Sequence, residues 1–222
     1  MAIDFLTAEQ KASYGKFIGE PNEFQLTRYF HLDESDLALI FNRRGNQNRF
    51  GLALQMTSVR FLGAFLPDMA LVPTNVKAFV GQQLSIKDFT TLAGYAKRDT
   101  TKREHKMLIR KHYGYSNFNE PPWAFRLSRL LYIRAWINNE RPSLMFDFAT
   151  AWLIQNKILL PGAWTLTRLI SEIRERASTR LWLQLSALPS DEQREKLETL
   201  LEVPEGMRTS RFDQSRKGPR AI

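Results

Sequence analysis

The side chains best suited to chemistry in this chain are cations, and they concentrate between Arg98 and Tyr115. From Lys97 to Lys111 there are seven Lys or Arg residues against two acids, a local net charge of +5. The pattern predicts a capped helix. Thr100 or Thr101 can be its N-cap, Glu104 can complete a capping box with Thr101, and Gly114 suits the left-handed residue past its end. At about 100° per residue, Lys102, Lys106 and Arg110 fall on one stripe with Arg103 at its edge. Leu108 and Ile109 fall on another face, with His105 and His112 beside them. Such a helix docks by its apolar face and turns its cations outward. Together with Lys97, Arg98 and Thr101, the stripe fits the phosphate backbone of double-stranded DNA. A solvated basic face is the alternative on charge alone.

Two more groups could contribute. Arg43, Arg44, Asn46 and Arg49 cluster at a turn and the following helix start, where free N–H groups and cations suit a phosphate. A solvated loop is the alternative there. Thr165 is predicted to cap a helix whose core face is Leu166, Leu169, Ile170, Ile173 and Ala177. Its opposite face carries Thr167, Arg168, Ser171, Glu175 and Ser178, with Arg174 at the edge. Hydroxyls combined with arginine can bind both phosphates and base edges.

Other chemistries find little support. The three histidines are His31, His105 and His112, and the last two lean toward an apolar face, as structural histidines do. Asp33, Glu34 and Asp36 sit at a helix start, where capping and the helix dipole account for them. Asp147 lies alone in an apolar helix and reads as a buried, hydrogen-bonded carboxylate. Core packing accounts for the tryptophans, with stacking on single-stranded bases as the alternative for an exposed one. There is no G-x-x-x-x-G-K-[ST] loop. No catalytic residue, metal or cofactor is expected.

These groups must be positioned by helices. Helical periodicity and stop signals predict helices near 7–14, 22–30, 33–43, 46–64, 73–84 and 85–95, then the basic helix. Others follow at 123–138, 142–156, from 165, and from 190 to 201. The 46–64 helix is apolar on most sides, with Arg49 and Arg60 marking a narrow polar strip, and it is the expected centre of the first core. No segment reads as a strand. The segments 85–114 and 142–180 each have the order helix, short connection, helix, as in a helix-turn-helix reader. The reading is therefore all-α, with a helical DNA-binding domain over 1–118 and a second helix-turn-helix-like domain over 119–203. Phe118-Asn119-Glu120-Pro121-Pro122 marks the boundary. A basic, disordered tail follows over 204–222.

At 222 residues and net charge +9, the chain can hold one or two domains and favours an anionic partner. It has no cysteine, which excludes disulfides and zinc–cysteine sites. No apolar run reaches membrane-spanning length and the N-terminus lacks a basic signal-peptide start, so no membrane role and a cytoplasmic location are expected.

The ordered motifs resemble the N-terminal region of class II replicative transposases, the Tn-three family. They include Phe5-Leu6-Thr7, Leu26-Thr27-Arg28-Tyr29-Phe30, Asn42-Arg43-Arg44-Gly45 and Gly51-Leu52-Ala53-Leu54-Gln55. They continue with Val59-Arg60-Phe61-Leu62-Gly63, Phe65-Leu66-Pro67-Asp68, Glu104-His105, Ile109-Arg110 and Gly114-Tyr115. Arg141-Pro142-Ser143, Ala149-Thr150-Ala151-Trp152-Leu153, Leu159-Leu160-Pro161-Gly162, Arg174-Glu175-Arg176-Ala177 and Val203-Pro204-Glu205-Gly206 complete the set. The resemblance implies helical modules that bind a transposon's terminal inverted repeats in the bacterial nucleoid. It also implies a metal-dependent catalytic domain far downstream, so that this chain is expected to be a non-catalytic fragment or truncated product. Homodimerisation through the downstream region is a further expectation. Two function classes stay open: double-stranded DNA binding, and a helical protein-interaction module for dimerisation or transposase regulation.

Overall fold

Short polar signals set where several helices begin. Thr7 with Gln10, Asn22 with Gln25, Asp33 with Asp36 and Ser190 with Gln193 each form a reciprocal capping box. They start α1 (Ala8–Ser13), α2 (Glu23–Phe30), α3 (Glu34–Phe41) and α10 (Asp191–Thr199). In this computed structural model, residues 5–95, 99–138 and 140–216 are described. Between those elements lie α4 (Asn46–Leu62), α5 (Thr74–Gln83), α6 (Asp99–Tyr113), α7 (Trp123–Ile137), α8 (Pro142–Gln155) and α9 (Ala163–Ser186). α11 (Arg211–Arg216) comes last.

α4 is the centre of the first core, as its composition predicts. Every residue from Phe50 to Val59 is buried. Two of the polar ones are satisfied locally: Gln55 Nε2 donates to the Leu66 carbonyl and Oε1 accepts from the Leu66 N–H, while Thr57 Oγ1 donates to the Ala53 carbonyl. Gly51 is needed because the Tyr95 ring packs on it; a Cβ there would stand 2.1 Å from that ring. Phe30, Ile40, Val76, Val80 and Ile109 close this cluster around α4.

A second cluster gathers Phe118, just after β1, with Leu127, Leu131, Met145, Phe146, Leu153, Leu166 and Ile170 from α7, α8 and the first half of α9. The N-terminal segment joins it: Phe5, Leu6 and Tyr14 pack there, and the Tyr14 hydroxyl donates to the Pro161 carbonyl at 2.8 Å. Between α6 and α7, β1 (Ser116–Asn117) pairs in parallel with β2 (Ile158–Leu159), Ser116 opposite Ile158. By internal contacts the chain divides into two compact units, Met1–Arg174 and Glu175–Ile222, the first of which holds both clusters.

The structure differs from the sequence reading in several places. β1 and β2 are too short for a periodic signal. The α-helix expected from Ser85 is instead a 3-10 helix, Phe89–Gly94, started by Asp88, whose carboxylate accepts from the Thr90 N–H. Phe24 is 68% exposed despite its apolar side chain, because α2 turns Phe30 inward and Phe24 lies about 240° around the helix from it. Asp147 is exposed rather than buried, and accepts from Gln10 Nε2 at 2.6 Å on the outer side of the second cluster. Beyond residue 204, where a disordered tail is expected, the described part carries α11, whose Phe212 N–H donates to the Leu200 carbonyl.

Candidate nucleic-acid interface

The two faces of α6 separate as the helical spacing predicts. Ile109 is fully buried and His105 is 4% exposed, and both dock α6 against the first core. Lys102, Arg103, Lys106 and Lys111 are exposed. The helix begins at Asp99, so Thr101 lies within the first turn and is not the N-cap. Lys97 and Arg98 fall outside the described residues. Lys106 Nζ stands 5.5 Å over the Phe65 ring. Lys102 and Lys106 also border a cleft of about 340 Å³, with Asp68, Met69, Leu92 and Tyr95 on its other walls.

Arg110 leaves the cationic row. It pairs with Glu120 at 2.6 Å. The Glu120 carboxyl is held below its ordinary range, first by the Asn117 N–H and then by Arg110. This contact fixes the turn that carries the chain toward α7.

At the start of α4, Arg44 and Asn46 are exposed and Arg43 is half-buried. Arg49 is turned into the fold: its Nε donates to the Arg43 carbonyl at 2.8 Å and an Nη to the Phe41 carbonyl at 3.3 Å, closing the end of α3. Arg43 also acts on α6. His105, whose Nδ1 lies 3.0 Å from the Tyr95 hydroxyl, has its pKa lowered by burial and then by the charge of Arg43. The folded state therefore prefers the neutral ring. Above the ordinary value of 6.5 this costs nothing. As pH falls below it, the unfolded chain takes up a proton first, and stability declines until the lower folded-state value is reached. The expected decline is at most about 1.4 kcal/mol per pH unit. Urea midpoints at pH 7 and pH 5.5 measure it. A decline of equal size in His105→Gln would place its origin elsewhere.

The residue that composition alone does not reveal is Asp36. It is fully buried. Oδ1 accepts from the Tyr113 hydroxyl at 2.7 Å and faces His112 Nε2 at 3.0 Å, while Oδ2 pairs with Arg60 at 3.2 Å. Arg60 also donates to the His31 carbonyl and lies 5.4 Å over the Tyr113 ring. One carboxylate thus ties α3, α4 and the end of α6 together. Its capping role, which the sequence does show, is secondary. The available signal is Arg60, a cation within an apolar helix that needs a carboxylate partner.

α9 starts at Ala163, two residues earlier than expected, so Thr165 lies in its first turn and not at the cap. Leu166, Ile170 and Ile173 are buried as predicted. Thr167, expected on the outward face, is buried, and its hydroxyl donates to the Trp164 carbonyl at 2.9 Å. The wide inward arc of α9 includes it. Arg168 is exposed, lies 4.9 Å over the ring of the exposed Trp164 and pairs with Glu172 at 3.4 Å. Ser171 and Arg174 are half-buried. The outward face therefore keeps Arg168, Glu175 and Ser178 exposed, with Ser171 half-buried beside Arg168.

A model described as a domain of unknown function, DUF4158, matches residues 5–173. The chain belongs to the DUF4158 family. It is 59% identical over 219 residues to the transposase for transposon gamma-delta of Escherichia coli K12, covering 99% of this chain and 22% of that protein. The transposase for transposon Tn1546 of Enterococcus faecium is 28% identical, over 89% of this chain and 20% of its own length. The transposase for transposon Tn501 of Pseudomonas aeruginosa is 29% identical, over 87% and 19%. The chain spans about a fifth of the length of these curated relatives, and the resemblance seen in the motifs holds: it corresponds to the N-terminal part of a Tn-three-type transposase. Both hydrophobic clusters, the Asp36 hub and the α6 cations lie inside the DUF4158 match. No helix among the described residues is long and apolar enough to cross a membrane.

Proposed function

We propose that this DUF4158 chain binds double-stranded DNA, recognising the terminal inverted repeats of its transposon in the bacterial nucleoid, and that the 222-residue chain by itself cleaves nothing. One observation carries the reading. Lys102, Arg103, Lys106 and Lys111 stand exposed on a helix docked through Ile109 and His105, and none of the four pairs with a carboxylate among the described side chains. A cationic row on a rigid support matches a phosphate backbone. The transposase relatives supply the kind of DNA.

The two clusters divide the work in this reading. Residues 1–118 hold the backbone through α6, with Arg43, Arg44 and Asn46 nearby. Residues 119–203 carry a net charge of only +1, so contact there depends on geometry and hydrogen bonding. Arg168 is the base-reading candidate. Arg168→Ala is expected to reduce discrimination between repeat and random duplex by about 1–3 kcal/mol, the usual size of one good base contact. Paired titrations of the two duplexes at one salt concentration test both statements. Equal affinities for repeat and random DNA in the parent chain would overturn specific recognition. An equal loss on both duplexes in the variant would make Arg168 a phosphate contact.

A further inference from the structure

Phosphate contact by the lysine ammonium groups of α6 leaves unused the cleft of about 340 Å³ that Lys102 and Lys106 border. Two buried residues among its lining, Leu66 and Met69, give the cleft an apolar floor. Tyr95 contributes to the wall, and its ring is fixed: it packs on Gly51, and its hydroxyl lies 3.0 Å from His105 Nδ1. The rim carries Lys102, Lys106, Asp68 and Ala93, all four exposed. Charge is kept apart on that rim. Lys106 Nζ stands over the Phe65 ring, and Asp68 pairs with neither lysine among the described residues. Asp68 Oδ1 accepts from the Ala70 N–H at 2.9 Å, while Oδ2 takes no hydrogen bond among the described residues. The cleft thus combines two cations, an apolar interior with one fixed aromatic ring, and a carboxylate oxygen with acceptor capacity to spare.

The geometry points to a site for one unpaired nucleotide of a DNA strand, an inference that rests on the DNA reading above. The volume lies at the lower end of the roughly 300–1,000 Å³ of small-ligand sites, which suits a single base. Lys102 and Lys106 are four residues apart, about 6 Å of helix rise, the scale of one backbone step of a strand. They can therefore hold the phosphates on either side of one nucleotide and leave its base to enter between them. The floor and the Tyr95 ring supply the apolar and aromatic surface on which a base settles. Every natural base carries at least one N–H on its Watson–Crick edge, and Asp68 Oδ2 is the acceptor for it. The same carboxylate repels phosphate from its side of the rim, so the nucleotide has one orientation. In a fully paired duplex those N–H groups are engaged and the bases are stacked. The lysines then meet backbone alone and the cleft stays empty. The site therefore separates unpaired from paired nucleotides, not one base from another.

The test uses the 222-residue chain, a fully paired terminal-repeat duplex and a series in which one extra unpaired nucleotide is moved along that repeat. At least one bulged duplex is expected to bind about 10-fold or more tightly than the paired one, because no base pair has to be broken. Ala93→Trp fills the cleft from its rim. It should erase the gain and leave both the affinity for paired duplex and the thermal transition of the chain unchanged. Asp68→Asn keeps the Ala70 cap but sets N–H groups where the base edge needs an acceptor, so it should lower the ratio of bulged to paired affinity. A nucleoside 3′,5′-bisphosphate should displace the bulged duplex at about 5-fold lower concentration than a nucleoside 5′-monophosphate, since only the first carries both flanking charges. Equal potency of the two would make this a site for free nucleotides and overturn the assignment to a strand. A bulged series bound no more tightly than paired duplex, or a gain that survives Ala93→Trp, would overturn the inference and leave the DNA reading standing. Failure to bind any duplex would remove both.

Discussion

Asp36→Ala is expected to lower the stability of the first unit by about 3–5 kcal/mol, the usual cost of removing one partner from a buried charge network. The substitution leaves the Arg60 guanidinium, the His112 imidazole and the Tyr113 hydroxyl facing a void. All three side chains are partly enclosed, so water replaces the carboxylate incompletely. Asp33→Ala, on the same capping box but at an exposed position, should cost about 1 kcal/mol, because it removes only a helix cap. Urea denaturation of the two variants side by side checks the contrast. If Asp36→Ala costs no more than Asp33→Ala, the carboxylate is merely a capping residue and the three-helix tie is energetically idle. A further consequence concerns α6. Two of the three partners, His112 and Tyr113, come from its last turn, so loosening the hub should weaken duplex binding without removing any cation from the outer face.

The second large effect is expected from Lys102→Ala combined with Lys106→Ala. The two side chains are exposed one helical turn apart on α6 and should touch neighbouring phosphates. Removing one lysine–phosphate interaction flattens the log–log salt dependence of binding by about 0.9, so the pair should reduce the slope by about 1.8. Near 0.1 M salt this corresponds to a weakening on the order of 10- to 100-fold, shared equally by repeat and random duplex. Lys102→Arg with Lys106→Arg should keep the slope, since charge is preserved. Weakened binding with an unchanged slope would mean that α6 contributes through the fold and not by touching phosphate. Arg110→Ala makes a useful contrast, because Arg110 is already engaged by Glu120 and its removal should act mainly on stability.

What can be read from the sequence is local. The capping boxes at Thr7, Asn22, Asp33 and Ser190 each rest on residues three apart, and all four form. The apolar circumference of α4 and the inward stripe of α9 are periodic signals, and both lead to core residues. What cannot be read depends on partners distant along the chain. Asp36 meets His112 across 76 residues, and no spacing rule couples them. Arg49 and Arg110 look like free cations in the sequence because the carbonyls and the carboxylate that engage them are set by tertiary packing. Thr101 and Thr165 are plausible caps by residue type, but α6 and α9 begin upstream of both, so their hydroxyls lie within a helical turn. Polarity marks Thr167 as outward. Its hydroxyl is satisfied by the Trp164 carbonyl, so its burial costs little.

The N-terminal segment has a consequence for the order in which the protein is made. Gln10 reaches Asp147 across 137 residues, and Tyr14 reaches Pro161 across 147. The first core, by contrast, draws its buried members from Phe30 to Ile109. At roughly 5–20 residues per second, a ribosome needs about 7–30 s to deliver Pro161 after Tyr14 has been added. During that interval the first core can close while α1 waits undocked, its aromatic and leucine partners still inside the tunnel or not yet translated. The earliest residues synthesised are thus among the last to be seated. A bulky fusion joined ahead of Phe5 would therefore burden the second cluster, whose other members come from residues 118–173, more than the first core that follows it directly in the chain.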